Sequence, residues 1–560
     1  MNIRENTQAA PLRRILGRPG ASERPGGRRL GPVPPHALAV TALTGVVAAG
    51  YSVFALGLYN TFQTTSYDLV IFDEAVRSYA HFQPGISVIK GVHNGFGPNF
   101  SILGDHWSPI LAALAPLYWI YSSPVTLLVA QAVLFALAIP PLWLFTRRAF
   151  GGGGKAVTAA YLVSVAYALC WPIASALDFD FHEVAFAPVL TAVALERLSA
   201  GRLRTAVIAL AALLLVKEDM GLFVAGIGIY LAVSRPRVVR RQLTVGLCLI
   251  AAGIADTVFT TYVLIPAFGG RASYYWAYTA LGSSAPQAAW HLITHPASLK
   301  LLVTPEVKLQ TMLWLFGAFC FLSLRSPMAL AAIPLLLERM LANLFPNWWV
   351  TGYQYNAYLV IILLFAAVDG AARLDRQLLR RQHRAAAARG EAAGGESGGP
   401  AAGPPASGGR WSPAPWSVGL GCAAAMCAVA VVLVPHFAFG AALKPSFFHR
   451  SKQEQAAAAA VAAVPSGVTV AAVNNLGPQL SGRDTVLLWD GDGYTPPLAA
   501  PWVVANTRRL QFTFFSVSEQ RQRIAFLEAH GYRVVFRRDG YLVLHRTGSQ
   551  ATELGTRYPG

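Results

Sequence analysis

The sequence predicts a mainly α-helical, polytopic transmembrane bundle of about eleven spans, with a small extracytoplasmic α/β domain at its C-terminus. Three observations predict it. Hydrophobic residues make up 54% of the 560 residues and charged residues only 13%, about half the charged share of soluble domains. Apolar runs close to the roughly 20 residues that cross a bilayer recur along the chain. Beyond residue 440 those runs give way to short strand-like segments.

So much apolar surface needs lipid as its solvent. The net charge of +18 does not point to nucleic acid, because no basic stripe interleaves with aromatics on a polar domain. The arginines fall instead in short clusters between apolar runs, the positive-inside pattern of membrane loops. Cys170, Cys248, Cys320, Cys422 and Cys427 all lie in apolar runs without zinc-ligand or C-x-x-C spacing. The Ala, Arg, Gly and Pro bias fits a high-GC bacterial genome.

Residues 1–35, rich in Arg, Pro and Gly, read as a disordered basic cytoplasmic tail. The apolar run that follows is too long for a cleavable signal. The transmembrane domain covers 36–372. Its first span, 36–59, leads outward into an external loop, 60–107; 109–121 reads as interfacial or re-entrant and 124–146 as a crossing that ends at Arg147 and Arg148. Segments 156–176 and 184–198 go out and back. Segment 205–233 has basic clusters at both ends (Arg202, Arg204; Arg235, Arg237, Arg240, Arg241), so both ends belong on the cytoplasmic side. It must therefore be two short helices, with Lys217, Glu218 and Asp219 at the external apex. Spans at 243–265, 301–324, 327–345 and 354–372 follow. Residues 373–412, Arg-rich and then Gly/Ala/Pro/Ser-rich, read as a flexible cytoplasmic linker. The last span is 415–436. In the extracytoplasmic α/β domain, 440–560, strands are expected at 468–473, 485–489, 502–506 and 541–545, and a helix at 517–530.

This parity puts the acids and histidines outside. The first loop carries Asp68, Asp73, Arg77, Asp105 and His106; the second carries Asp178, His182 and Glu183; others carry Arg271, Tyr355 and Asn356. Ionisable groups at membrane depth are costly and usually pair or line a wet cavity. Lys217-Glu218-Asp219, flanked by apolar residues, therefore reads as functional. For 178–183 a solvated turn explains the residues equally well, and an aromatic interfacial belt accounts for most of the Tyr and Trp at 274–278 and 348–358. No cofactor is implied. Asp and His could ligate a divalent metal, but no spacing supports one, and no nucleophile elbow points to a serine hydrolase.

Taken together, Tyr67-Asp68-Leu69, Phe72-Asp73, Asp105-His106-Trp107-Ser108-Pro109, Asp178-Phe179-Asp180-Phe181-His182-Glu183, Lys217-Glu218-Asp219 and Tyr355-Asn356-Ala357-Tyr358 resemble the bacterial and archaeal membrane proteins of domain-of-unknown-function family 2079. The likeness covers about 60–435 and extends to Asn474-Asn475 and Leu480-Ser481. Glu183 directly follows His182, where that family usually has an intervening proline. The family is distantly similar to GT-C glycosyltransferases. The resemblance implies a GT-C-like bundle that moves a sugar from a polyprenyl-phosphate donor, held in membrane lipid, to an acceptor on the outer face. Such chemistry needs a base and a cation for the leaving phosphate. Asp73 is the expected base, with Asp68 second. Lys217 is the expected phosphate partner, helped by Arg77 or Arg271, while Glu218, Asp219, Asp178 and His182 orient it or the sugar. The alternatives are a transporter or lipid flippase, and a cell-envelope scaffold. Under the transferase reading, Asp73, His106, His182 and Lys217 should meet within roughly 10–15 Å, the span of an ordinary pocket.

Overall fold

Pro35 opens the first helix, Pro35–Asn60, at a position where a missing N–H costs nothing. The structure, a computed structural model, describes residues 35–234, 240–394 and 417–546, apart from 492, 494, 497 and 498. The tail 1–34, Arg235, Arg237 and linker residues 395–416 lie outside the described residues.

Among the described residues six helices are long and apolar enough to cross a membrane: Pro35–Asn60, Pro124–Ala149, Gly154–Asp178, Gln242–Ala267, Gln354–Gln382 and Val418–His436. The other expected membrane segments are shorter or broken. Residues 109–121 form a 3₁₀ turn, Pro109–Leu114, and one helical turn, Ala115–Tyr118. The 205–233 segment is two helices, Leu203–Leu213 and Met220–Ser234, with Lys217 between them. Segments 301–324 and 327–345 are not continuous spans. They contain helices Glu306–Gly317 and Ile333–Leu341, of 12 and 9 residues, which rise only about 18 and 14 Å. The left-handed Cys320 and Phe321 (φ 54° and 57°) follow the first, and the second is entered through a 3₁₀ turn, Pro327–Ala332, with Pro334 in its first turn, where proline is tolerated. Conversely, the helix that begins at Ala357 runs to Gly394, past the expected boundary at 372. Its Arg, Leu, Gln and Ala are strong helix formers that need no apolar core to stay helical.

That helix is the axis of the bundle: every residue from Leu359 to Val368 is fully buried. Beside it, Met220–Ser234 crosses Arg240–Phe259 through glycines. A methyl added at Gly221 or Gly253 would overlap the other's carbonyl oxygen, and Gly228 and Gly246 face each other in the same way. Small residues let the two backbones approach without lipid between them.

The bundle has two chemically different ends. At one, Arg148 donates to Glu196 and Ser199 (both 2.6 Å), Arg373 pairs with Asp369 (2.6 Å), and the Gly419 N–H donates to Asp375 (3.0 Å). At the other end the first loop meets 178–183, 217–219, 274–278 and 346–356.

The C-terminal domain is a five-stranded sheet ordered β2-β1-β3-β5-β4, with β1 Thr469–Ala472, β2 Thr485–Leu488, β3 Trp502–Asn506, β4 Tyr532–Arg538 and β5 Tyr541–Arg546. β1 runs parallel to β2 and β3; β5 runs antiparallel to β3 and β4. Helix Val517–Ala529 stands where sequence puts it, whereas helix Lys452–Ala462 and β4 are additions. The helix carries a Ser451–Glu454 capping box. The domain is no dangling appendage. Gln479 donates to the Tyr59 carbonyl (2.6 Å), Arg450 to that of Asn60 (2.7 Å), and Phe447 stacks on Phe54.

Candidate functional site

The first span ends at Asn60, and the chain re-enters helical geometry through a π-helical turn, Ser66–Val70, before helix Ile71–Ala80. Such turns insert a residue into the helical repeat and are frequent at functional sites. Asp68 sits in this one. Its carboxylate, 29% exposed, lies 3.4 Å from His182 Nε2. Asp73, one turn on, is wholly buried: Arg77 donates to one oxygen and the Tyr118 hydroxyl to the other, both at 2.7 Å. Arg77 continues to the Ser481 carbonyl (2.7 Å). Asp73 and Arg77 thus join the first loop to the C-terminal domain, whereas Asp68 opens towards His182.

His182 and Glu183 are set by a turn whose pivot is Asp180, left-handed at φ 60°. Asp180 accepts from the Thr65 N–H (2.9 Å) and hydroxyl (2.6 Å). Burial pushes its carboxyl well above the ordinary aspartate range against those two donors. Gln131 ties the turn from within, donating to the Asp180 carbonyl (2.6 Å) and accepting from the His182 N–H (3.1 Å). His182 is then wedged between the rings of Phe72 and Phe179. Buried Glu183 stands 3.6 Å from Lys217 Nζ, which lies 5.6 Å from the centroid of Tyr355. Arg339 fixes that wall by donating to the carbonyls of Trp348 and Tyr355 and to the Asn356 side chain. His182 Nδ1, Glu183 Oε2 and Asp219 Oδ1 are buried with no hydrogen-bond partner among the described residues. Buried polar atoms of that kind are what a polar ligand or ordered water would satisfy.

Glu218 extends the cluster. It lies 2.7 Å from His106 Nδ1 and accepts from the Trp107 N–H (3.1 Å). Burial works against a charge on His106, but the Glu218 carboxylate, its hydrogen bond and Asp105 together outweigh it and raise the imidazole's pKa. His106 stacks on Tyr275, whose hydroxyl donates to Asp105 (2.7 Å). Asp105 pairs with Lys90 at 3.0 Å. Burial alone would push Asp105 up; the Lys90 ammonium, His106 and the Tyr275 hydroxyl together override it and hold the carboxyl below its usual range. Lys90 itself is ringed by Tyr67, Tyr274 and Tyr275 at 5.4–5.9 Å. Beyond it His93 Nδ1 meets Asp490 of the C-terminal domain at 2.9 Å.

Of the four residues expected to meet, His182 and Lys217 connect through Glu183, and His106 joins them through Glu218, the residue after Lys217. Asp73 belongs to the separate Arg77–Tyr118 network. Asp178 and Arg271 are exposed. Sequence reasoning missed Lys90, Arg339, Asp490 and the positioning role of Asp180. Lys90 sits in an unremarkable Ile-Lys-Gly, and only the tertiary arrangement brings three tyrosines around it. Among the described residues, no group of three or more His, Cys, Asp or Glu side chains is placed to hold a metal ion.

No curated protein matches the chain. Among solved structures, its fold is similar to that of ArnT from Cupriavidus metallidurans in a crystal structure bound to undecaprenyl phosphate. The identity is 14% and the TM-score 0.45, over 92% of this chain and 98% of that one. Residues 58–543 match the model of the family described as predicted membrane protein (DUF2079), and over that extent the chain belongs to this family of multi-pass membrane proteins.

Proposed function

We propose that the protein transfers a sugar from a polyprenyl-phosphate donor to an acceptor hydroxyl at the outer membrane face. One observation carries the reading: Asp68–His182 and Lys217–Glu183, joined through the adjacent His182 and Glu183, meet at one end of the bundle, with Lys217 over Tyr355. Asp68 takes the role of base in preference to Asp73, because its carboxylate is partly open while both Asp73 oxygens are engaged. In the reaction the acceptor oxygen attacks the anomeric carbon and its proton passes to Asp68. The bond from that carbon to the phosphate oxygen breaks, and polyprenyl phosphate leaves with the added negative charge. Lys217 neutralises that charge, and Glu183 keeps the lysine aimed between phosphate and Tyr355. His182 holds the Asp68 carboxylate in place. Gathering of Asp68, His182, Glu183 and Lys217 at one end of the bundle favours this reading over a transporter or flippase, whose substrate-handling ionisable groups would extend to the bilayer midplane.

The test is incubation of the full-length protein in lipid nanodiscs with a panel of radiolabelled polyprenyl-phosphate sugars. Release or transfer of label from at least one donor is expected. Transport of an intact lipid-linked sugar between leaflets, with no bond cleaved, would replace the transferase by a flippase.

A further inference from the structure

The turn that carries Asp68 lacks a cap of its own. Thr65 stands at its N-cap position in an extended conformation, and its hydroxyl caps nothing; that hydroxyl is turned to Asp180 instead. The first N–H groups of a helix have no partner within it and need one from elsewhere. Here the partner comes from the far end of the chain. The Asn474 carbonyl accepts from the Ser66 N–H (2.6 Å) and hydroxyl (2.7 Å), and the Asn474 side-chain oxygen accepts from the Tyr67 N–H (2.9 Å). Gly477 then packs so closely that a methyl there would overlap Ser66 Oγ.

Asn474 follows β1 and Asp490 follows β2, both at the carboxyl ends of parallel strands. That edge is where open α/β sheets hold their ligands. In this chain it holds the first loop, through Ser66 and Tyr67 at Asn474 and through His93 at Asp490.

We infer that the C-terminal domain uses this strand edge to cap the Asp68 turn, with the Asn474 side-chain oxygen as a positioning group for Asp68. The role of Asp68 rests on the function proposed above; the capping itself does not. Asn474→Ala removes the side-chain acceptor, whereas Asn474→Asp keeps it and adds a negative charge at a helix start, which is favourable there.

Hydrogen–deuterium exchange of peptides covering residues 65–70 reads the cap in full-length protein in nanodiscs, whether or not a donor sugar is known. Loss of one such bond should speed exchange in Asn474→Ala by about fivefold, with wild-type protection in Asn474→Asp. Transfer kinetics read the consequence: kcat should fall about fivefold in the alanine variant with KM for the donor unchanged, and the aspartate variant should recover it. Unchanged exchange in Asn474→Ala overturns the inference, as does equal loosening in both variants. Faster exchange with unchanged kcat overturns the positioning role. If the wild type transfers nothing, the proposed function falls, and the exchange comparison still decides the cap.

Discussion

The Lys217 ammonium stands 3.6 Å from Glu183 Oε1 and faces the Tyr355 ring at 5.6 Å, at the break between two short helices. The pair is buried, so neither charge is tolerated without the other. Lys217→Met should weaken binding of polyprenyl phosphate by roughly ten- to a hundredfold, the value of a charge-assisted contact. It should also lower stability by about 3–5 kcal/mol, because it strands a buried carboxylate. Adding Glu183→Gln to Lys217→Met should recover thermal stability but not binding. Recovery of both would remove Lys217 from phosphate recognition.

Asp68 and Asp73, five residues apart, should separate cleanly. Asp68→Asn is expected to cut transfer by about 10²–10⁴-fold, the usual share of a positioned base, with an unchanged melting temperature. Asp73→Asn should do the reverse in kind. It removes the charge that Arg77 pairs with at 2.7 Å, so melting temperature and abundance should fall while residual folded protein retains its turnover. The paired measurement is turnover per folded molecule against thermal unfolding. Selective loss of turnover in Asp73→Asn would return the base to that residue.

Glu74 supplies a pH dependence. Its buried carboxylate accepts from the Ser87 hydroxyl (2.9 Å) and the Ile89 N–H (3.0 Å), yet burial dominates and pushes its pKa up to about 7 from an ordinary 4.5. The folded state therefore keeps this proton where the unfolded chain has released it. Its contribution to stability is full below pH 4.5 and is lost as pH rises to about 7. Glu74→Gln keeps the acceptor oxygen and removes the titration. It should match wild-type thermal stability near pH 4.5 and exceed it at about pH 8; an identical pH profile for both proteins would contradict the assignment.

The glycine crossing makes a packing prediction. Gly253→Leu would drive a side chain into the Gly221 carbonyl, and overpacking of this sort costs about 1–3 kcal/mol. Thermal unfolding in detergent should register it. A leucine at Gly421, whose added methyl would meet nothing within 4 Å, should leave stability unchanged.

The sequence by itself determined the membrane class, the break at Lys217 and the strands β1, β2, β3 and β5, because each follows from local hydropathy and charge. Apolar length marks a span, two basic clusters force a hairpin between them, and alternation marks a strand. Local pattern misjudged 301–345, where left-handed Cys320, Phe321 and Phe345 and 3₁₀ stretches break helices that hydropathy alone would draw as continuous. It also lost β4, whose arginines at 533, 537 and 538 mask its alternation. Only the tertiary structure decided which aspartate is open and which is clamped. Asp68 and Asp73 lie five residues apart, and the sequence ranked Asp73 first, but their difference lies in Tyr118, His182 and Ser481, which are distant in sequence. The same holds for Asn474 and the turn it caps: a hydrogen bond spanning 407 residues leaves no periodicity to read.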